Sequence, residues 1–168
     1  MPEVTVPAAR HVLLLMRHAK AASPEGVPDR RRPLADRGRR DAAATGEWLS
    51  SAGLVPDAVV CSDAVRARET ADLVVEGIGS GAPAVEDEPD LYEASVHRVL
   101  HVVAGTPEDV GTLLVVGHEP TTSATVAALT RRDVSFPTSA VAVIDVDRPW
   151  KDVASGAGRL RTVHTPKG

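Results

Sequence analysis

The chain has 168 residues, 43 % of them hydrophobic, and a formal charge of −4. That length supports one full core with little left for a second, so residues 1–168 are expected to form a single domain with its core at about 11–165. The acidic balance argues against a general nucleic-acid binder, the single cysteine rules out an internal disulfide, and no apolar run nears the roughly 18 residues of a membrane span.

Residues 1–10 carry no apolar stretch of signal-peptide type, which makes the cytoplasm the expected location. Aromatics are scarce, so the core must come from Val, Leu and Ala.

Residues 12–16, Val-Leu-Leu-Leu-Met, read as a buried strand, and Arg17-His18-Ala19 follows at once. A strand ending there points a cation and an imidazole out of its carboxyl end, the edge where α/β sheets bind ligands. Taken alone, the pair would fit a surface basic pair equally well. Residues 21–33 and the two termini are expected to be the mobile parts. Residues 34–52 read as a helix, with Asp36 near its start, Ala42, Thr45, Leu49 and Ala52 at helical spacing, and Gly53 as its stop.

Residues 58–61 form the second strand-like run, followed by a helix over about 64–78 with Ala67, Ala71, Val74, Val75 and Ile78 on one face and Gly77, Gly79 and Gly81 ending it. A short strand near 84–86 leads into a loop at 89–93. Ser95 is placed to cap a helix whose Val96, Val99, Leu100 and Val103 face inward, with Gly105 closing it. Residues 113–116 are a third apolar strand, and 121–129 a helix entered through Pro120. Residues 140–146 and 160–164 look like two last strands joined without a helix, and are therefore expected to be antiparallel. The whole is an α/β chain: a three-layer α/β/α sandwich around a mostly parallel sheet with antiparallel late strands.

If the three apolar strands are neighbours, Arg17, His18, Arg66 and His118 converge at one sheet edge. Two guanidiniums and two imidazoles in one cleft need an anion between them, and phosphate matches the planar fork of arginine. A histidine beside fixed positive charge has its pKa lowered and stays a neutral nucleophile at pH 7. This suits phosphoryl transfer through a covalent phosphohistidine. His118 alone would also fit a capped core histidine, although a following helix N-terminus attracts anions.

These residues resemble the histidine phosphatase (phosphoglycerate-mutase-like) superfamily. The resemblance runs through Leu15-Met16-Arg17-His18-Ala19, Arg32-Pro33-Leu34, Arg37-Gly38, the stretch from Ser62 to Ala71, and Val116-Gly117-His118-Glu119-Pro120. Ala19, where many members have Gly, and the short chain look most like the SixA-type phosphohistidine phosphatases. The resemblance implies that His18 is the phosphorylated nucleophile, that Arg17, Arg66 and His118 complete the phosphate pocket, and that no metal or other cofactor is needed. Larger members place a carboxylic acid before or directly after the second histidine, positions held here by Glu93 and Glu119, with Glu93 favoured. The expected substrate is a phosphorylated protein, a phosphohistidine protein first. The alternatives are a broad-specificity phosphatase acting on small phosphate esters, and a catalytically silent phosphate- or phosphoprotein-binding module.

A helix fills most of the chain between Arg66 and Glu93, which leaves nothing there for a lid and predicts an open, shallow pocket. Cys61 also follows a strand, but cysteine phosphatases need an arginine where this chain has Ala67, so it reads as a small buried residue. The arginines at 30–32, 37, 39 and 40 read as a solvated face, with Arg32 paired to Asp29 as one option. His97 and His101 have a metal-binding spacing without the glutamate of a zinc-protease motif. Lys20 is either solvent-exposed or an outer guide for anions.

Overall fold

The structure is a computed structural model and describes residues 10–166. The expectations for the terminal segments, at residues 1–9 and 167–168, lie outside the described residues. Six strands and four helices follow in chain order: β1 (His11–Arg17), α1 (Asp36–Ser51), β2 (Ala58–Cys61), α2 (Val65–Ile78), β3 (Val85–Asp87), α3 (Val96–Ala104), β4 (Thr112–Gly117), α4 (Thr121–Thr130), β5 (Val141–Val146) and β6 (Gly158–His164).

The apolar runs assemble into one sheet of order β3-β2-β4-β1-β5-β6. β1 pairs in parallel with β4, β4 with β2, and β2 with β3. β5 lies antiparallel to β1 and β6 antiparallel to β5, as expected for strands joined without a helix. Both faces of the inner strands are buried, which is why they read as unbroken apolar runs. One core sets Leu14, Met16, Leu114, Val116 and Val143 against Leu49 of α1 and Val74 of α2. The other sets Leu13, Leu15, Leu113, Val115 and Ile144 against Val103 of α3 and Leu129 of α4. The fold is the expected α/β sandwich.

Helices α1 and α2 meet at backbone distance. A Cβ added at Gly46 would stand 2.1 Å from the Val74 carbonyl oxygen, and one at Gly77 would stand 2.3 Å from that of Ala43. Gly77 therefore serves the crossing from inside α2, and Gly79, at φ 80°, is the residue that ends it. Ala52 falls outside α1 as its exposed C-cap, while Ala42, Thr45 and Leu49 are buried as expected. On α3, Val99 and Val103 are buried whereas Val96 and Leu100 are half-buried, and Ser95 caps the helix by accepting from the Arg98 amide (3.1 Å).

The expectation of a mobile 21–33 segment gives way to a tied one. Ala21 bridges Leu34, the Ala22 amide donates to the Pro33 carbonyl (2.8 Å), and the Leu34 amide donates to Glu69 on α2 (2.9 Å). Inside that closed neck, Asp29–Arg31 form a 3-10 turn facing α2. Among the described residues, no helix is long and apolar enough to cross a membrane.

Candidate active site

Sheet register alone brings two of the expected site residues side by side. Arg17 pairs with Gly117 across β1 and β4, and the His18 amide donates to the Gly117 carbonyl (3.0 Å). Thus His18 and His118 leave neighbouring strands at the same level, with ring centroids 5.2 Å apart and tilted by 58°. The end of β2 lies alongside, where the Ser62 amide donates to the Val116 carbonyl (3.1 Å). α2 starts three residues later and carries the buried Arg66 in its first turn.

His18 Nδ1 lies 2.7 Å from the carbonyl oxygen of Ala19. A carbonyl can only accept, so Nδ1 carries the proton and Nε2 keeps its lone pair. Burial is the main force lowering the His18 pKa to about 4; the Arg66, Arg17 and Arg32 charges add to it against the opposing bond to Ala19. His118 is likewise lowered to about 4, first by burial and then by His18 and Arg66. Both rings are neutral at pH 7. His118 Nε2 stands 2.8 Å from the Ser62 hydroxyl, whose oxygen also accepts from the Ala64 amide (3.2 Å).

The supports around this pair are backbone groups and one threonine. Thr70, one turn after Arg66, accepts from the Ala19 amide (3.0 Å) and donates to the Arg66 carbonyl (2.6 Å). Arg17 Nη1 donates to the Phe136 carbonyl (3.2 Å), and the Ser139 amide donates to the His18 carbonyl (3.2 Å). Among the described residues, Arg17 Nε and His118 Nδ1 are buried without a hydrogen-bond partner, as are His11 Nδ1 and Ser139 Oγ. Buried polar atoms of this kind are satisfied in folded proteins by a bound ligand, ion or ordered water.

Arg66 is held from above by Asp29. Its Nη1 donates to the Asp29 main-chain carbonyl (2.7 Å) and its Nη2 to the Asp29 carboxylate (3.1 Å). The same carboxylate accepts from the Tyr92 hydroxyl (2.6 Å) and from Arg32 (3.1 Å). These donors, Tyr92 first, hold Asp29 well below the usual carboxylate range. Arg30 forms a two-pronged pair with Asp63 and lies 4.5 Å from the centre of the Tyr92 ring. Tyr92 in turn meets His118 edge-on at 5.7 Å. The chain between Arg66 and Glu93 is taken up by α2, β3 and a 3-10 turn, and it is Asp29 and Arg30, from the 21–33 segment, that pack against Arg66 and Asp63.

Of the two candidate acids, Glu93 is exposed beside Tyr92 with a left-handed φ of 54°. Glu119 is occupied: its carboxylate accepts from the Ser123 amide and from the Ser123 hydroxyl (2.7 Å each). It caps α4, so the helix end expected to draw an external anion is filled by the chain's own carboxylate. Thr122 donates to the His118 carbonyl (2.9 Å), whereas the Thr121 hydroxyl turns to Ala94 (2.7 Å).

Cys61 is buried, with burial chiefly pushing its thiol up to about 12, so it is no nucleophile. His97 and His101 are exposed, and the described residues hold no cluster of three or more metal-ligating side chains. The arginine run is largely paired within the chain: Arg30 to Asp63, Arg32 to Asp29, Arg37 to Asp41 and Arg39 to Glu69. Lys20 is exposed. Sequence reasoning gave no role to Ser62, Thr70 or Tyr92, and it met Asp29 only as a partner for Arg32. For Thr70 a signal existed, because four residues after Arg66 place it on the same helix face.

Residues 13–101 match the family model for the histidine phosphatase superfamily, branch 1. An uncharacterized protein of Mycobacterium tuberculosis strain H37Rv is 44 % identical over 163 residues, covering 90 % of this chain and all of that one. A solved structure from Nakamurella multipartitia, described as a phosphohistidine phosphatase SixA candidate, superposes with a TM-score of 0.85 at 36 % identity, covering 97 % of this chain and all of that one. The structure of the protein histidine phosphatase SixA complexed with tungstate gives a TM-score of 0.78 at 27 % identity over 92 % of this chain and 96 % of that one. With residues 13–101 matching the family model and the fold matched over 97 % of its length, the chain belongs to the histidine phosphatase superfamily, branch 1, and is SixA-like.

Proposed function

We propose that the protein hydrolyses a phosphomonoester or phosphoramidate through a covalent phosphohistidine on His18, with a phosphohistidine-bearing protein in the cytoplasm as its favoured substrate. The observation that carries this reading is the tautomer and charge of His18. Its Nδ1 proton is spent on the Ala19 carbonyl and the ring is neutral, so Nε2 offers a lone pair amid Arg17 and Arg66. In the first step that pair bonds to phosphorus as the bond to the leaving group breaks. In the second, water attacks phospho-His18 and releases inorganic phosphate. Arg17, Arg66 and His118 receive the phosphoryl oxygens, a role supported by the buried Arg17 Nε and His118 Nδ1, which have no partner among the described residues.

Glu93 is the proposed proton donor for oxygen-linked leaving groups, since the carboxylate of Glu119 is committed to α4. The phosphohistidine substrate is supported by likeness to protein histidine phosphatase SixA, whose complex with tungstate holds a phosphate-like tetrahedral oxyanion. A single catalytic domain acting without metal completes the reading. Hydrolysis of p-nitrophenyl phosphate is expected to persist with chelator and to vanish in His18→Ala. Turnover by His18→Ala, or loss with chelator, would reject it. Faster hydrolysis of a phosphohistidine protein than of a panel of sugar phosphates is expected; the reverse order would favour a small-molecule phosphatase.

A further inference from the structure

The mouth of the site holds a fixed negative charge that the phosphatase reading does not use. The Asp29 side chain is 54 % exposed, whereas that of Arg66 beneath it is 9 % exposed. All its carboxylate partners, the Tyr92 hydroxyl, Arg66 Nη2 and Arg32 Nη1, are donors. Three donors keep a carboxylate ionised at neutral pH. In an in-line displacement the leaving group stands opposite the attacking Nε2. His18 is half-buried just past β1 and feels the charge of Arg66, and the exposed Asp29 is bonded to that same Arg66 and to Tyr92, so the leaving group is taken to depart on the solvent side, past Asp29.

We infer that Asp29 is a specificity-determining residue whose carboxylate favours phosphoryl groups carried on a protonated nitrogen over those carried on oxygen. The inference rests on His18 being the nucleophile. When the substrate is an N-phosphoimidazolium, the His18 Nε2 pair forms the new P–N bond and the old P–N bond breaks. That bond's electron pair stays on the leaving ring, which departs as neutral imidazole with the proton on its other nitrogen retained. The positive charge passes to phospho-His18, and no proton has to be supplied. An oxygen-linked group instead gathers negative charge as it leaves. Measured from free substrate, a neighbouring carboxylate lowers the barrier for the first kind and raises it for the second. Asp29 also holds Arg66 in place, but that service is shared by every substrate.

Asp29→Asn removes the charge and keeps an oxygen for Tyr92 and Arg66. The full chain and this variant are compared on phosphoimidazole, phosphoramidate and p-nitrophenyl phosphate. The ratio of kcat/KM for either nitrogen-linked compound to that for p-nitrophenyl phosphate is expected to fall about tenfold in the variant. An unmoved ratio overturns the inference whatever the absolute rates do, because a misplaced Arg66 slows all three alike. Tyr92→Phe drops the bond but keeps the charge, and its ratio is expected to stay within about twofold of the unaltered protein. A fall there as large as in Asp29→Asn would move the preference to Tyr92 and overturn the assignment. If the unaltered protein turns over none of the three compounds, the phosphatase reading itself fails, and the inference with it.

Discussion

The Ser62 hydroxyl and Nε2 of His118 lie 2.8 Å apart, joining the end of β2 to the end of β4. Ser62 is fully buried, and its oxygen is already anchored by the Ala64 amide, so the hydroxyl cannot swing away. The contact fixes the orientation of the His118 ring and commits one nitrogen, leaving Nδ1 for another ligand.

Removing that hydroxyl strands a buried ring nitrogen. Ser62→Ala is expected to lower kcat/KM for p-nitrophenyl phosphate about tenfold, the cost of one lost buried hydrogen bond. Steady-state kinetics on the variant checks this. A rate equal to that of the unaltered protein would mean that the ring needs no such anchor.

The burial of two neutral histidines predicts a distinctive response to acid. With His18 as the proposed nucleophile, activity requires the ring uncharged, so the acid limb is expected near pH 4 rather than near 6.5, read from kcat/KM between pH 3.5 and 8. Stability follows the same groups. Between about 6.5 and 4 the unfolded chain binds protons at His18 and His118 that the folded chain does not, so stability rises with pH across this window. Acidification should therefore cost on the order of a few kcal/mol by pH 4, with no further loss from these two groups below it. Denaturant unfolding at pH 7 and pH 4.5 measures the difference.

The contact of α1 with α2 leaves no space for a methyl group. Gly46→Ala would put a Cβ 2.1 Å from the Val74 carbonyl oxygen, a backbone atom that cannot rotate aside. The expected cost is about 3 kcal/mol, seen as a fall in Tm of roughly 10 °C. Calorimetry of the variant tests it, and an unchanged Tm would show that the helices separate freely.

The two glutamates next to the site should separate by readout. Glu119→Gln weakens the cap of α4 and is expected to cost about 1 kcal/mol of stability, with the dependence of rate on leaving group unchanged. Glu93→Gln is expected to slow poor oxygen-linked leaving groups while sparing good ones. A rate loss on p-nitrophenyl phosphate equal to that on an alkyl phosphate would remove Glu93 from the role of acid.

Much of this arrangement was legible in the sequence because it depends on strand ends. Apolar runs stopping at Arg17-His18 and at Gly117-His118 give the position of each residue along its strand, and parallel pairing puts them level. Arg66 was legible for the same reason, through the run ending at Cys61. The parts that stayed hidden depend on side chains crossing between loops far apart in the chain. Nothing local says that Asp29 meets Tyr92, because their bond spans two loops that only the finished sheet brings together. Gly77 was misread as a stop since a glycine serving a close approach and one serving a turn look alike until the neighbouring helix is in place.

The glycine seam between α1 and α2 also sets where the molecule can yield during turnover. Helices interlocked at backbone distance cannot slide by a turn without a carbonyl colliding, so Arg66 and Thr70 ride on a stiff platform beneath the candidate site. The crossing at Asp29 and Arg30, by contrast, is latched to Asp63, Tyr92 and Arg66 through the exposed side chains of Asp29 and Arg30 and through the Asp29 carbonyl, with no interlocked backbone. On the proposed phosphatase reading, any give needed for entry and release falls to that latch, and the floor of the site stays where folding put it.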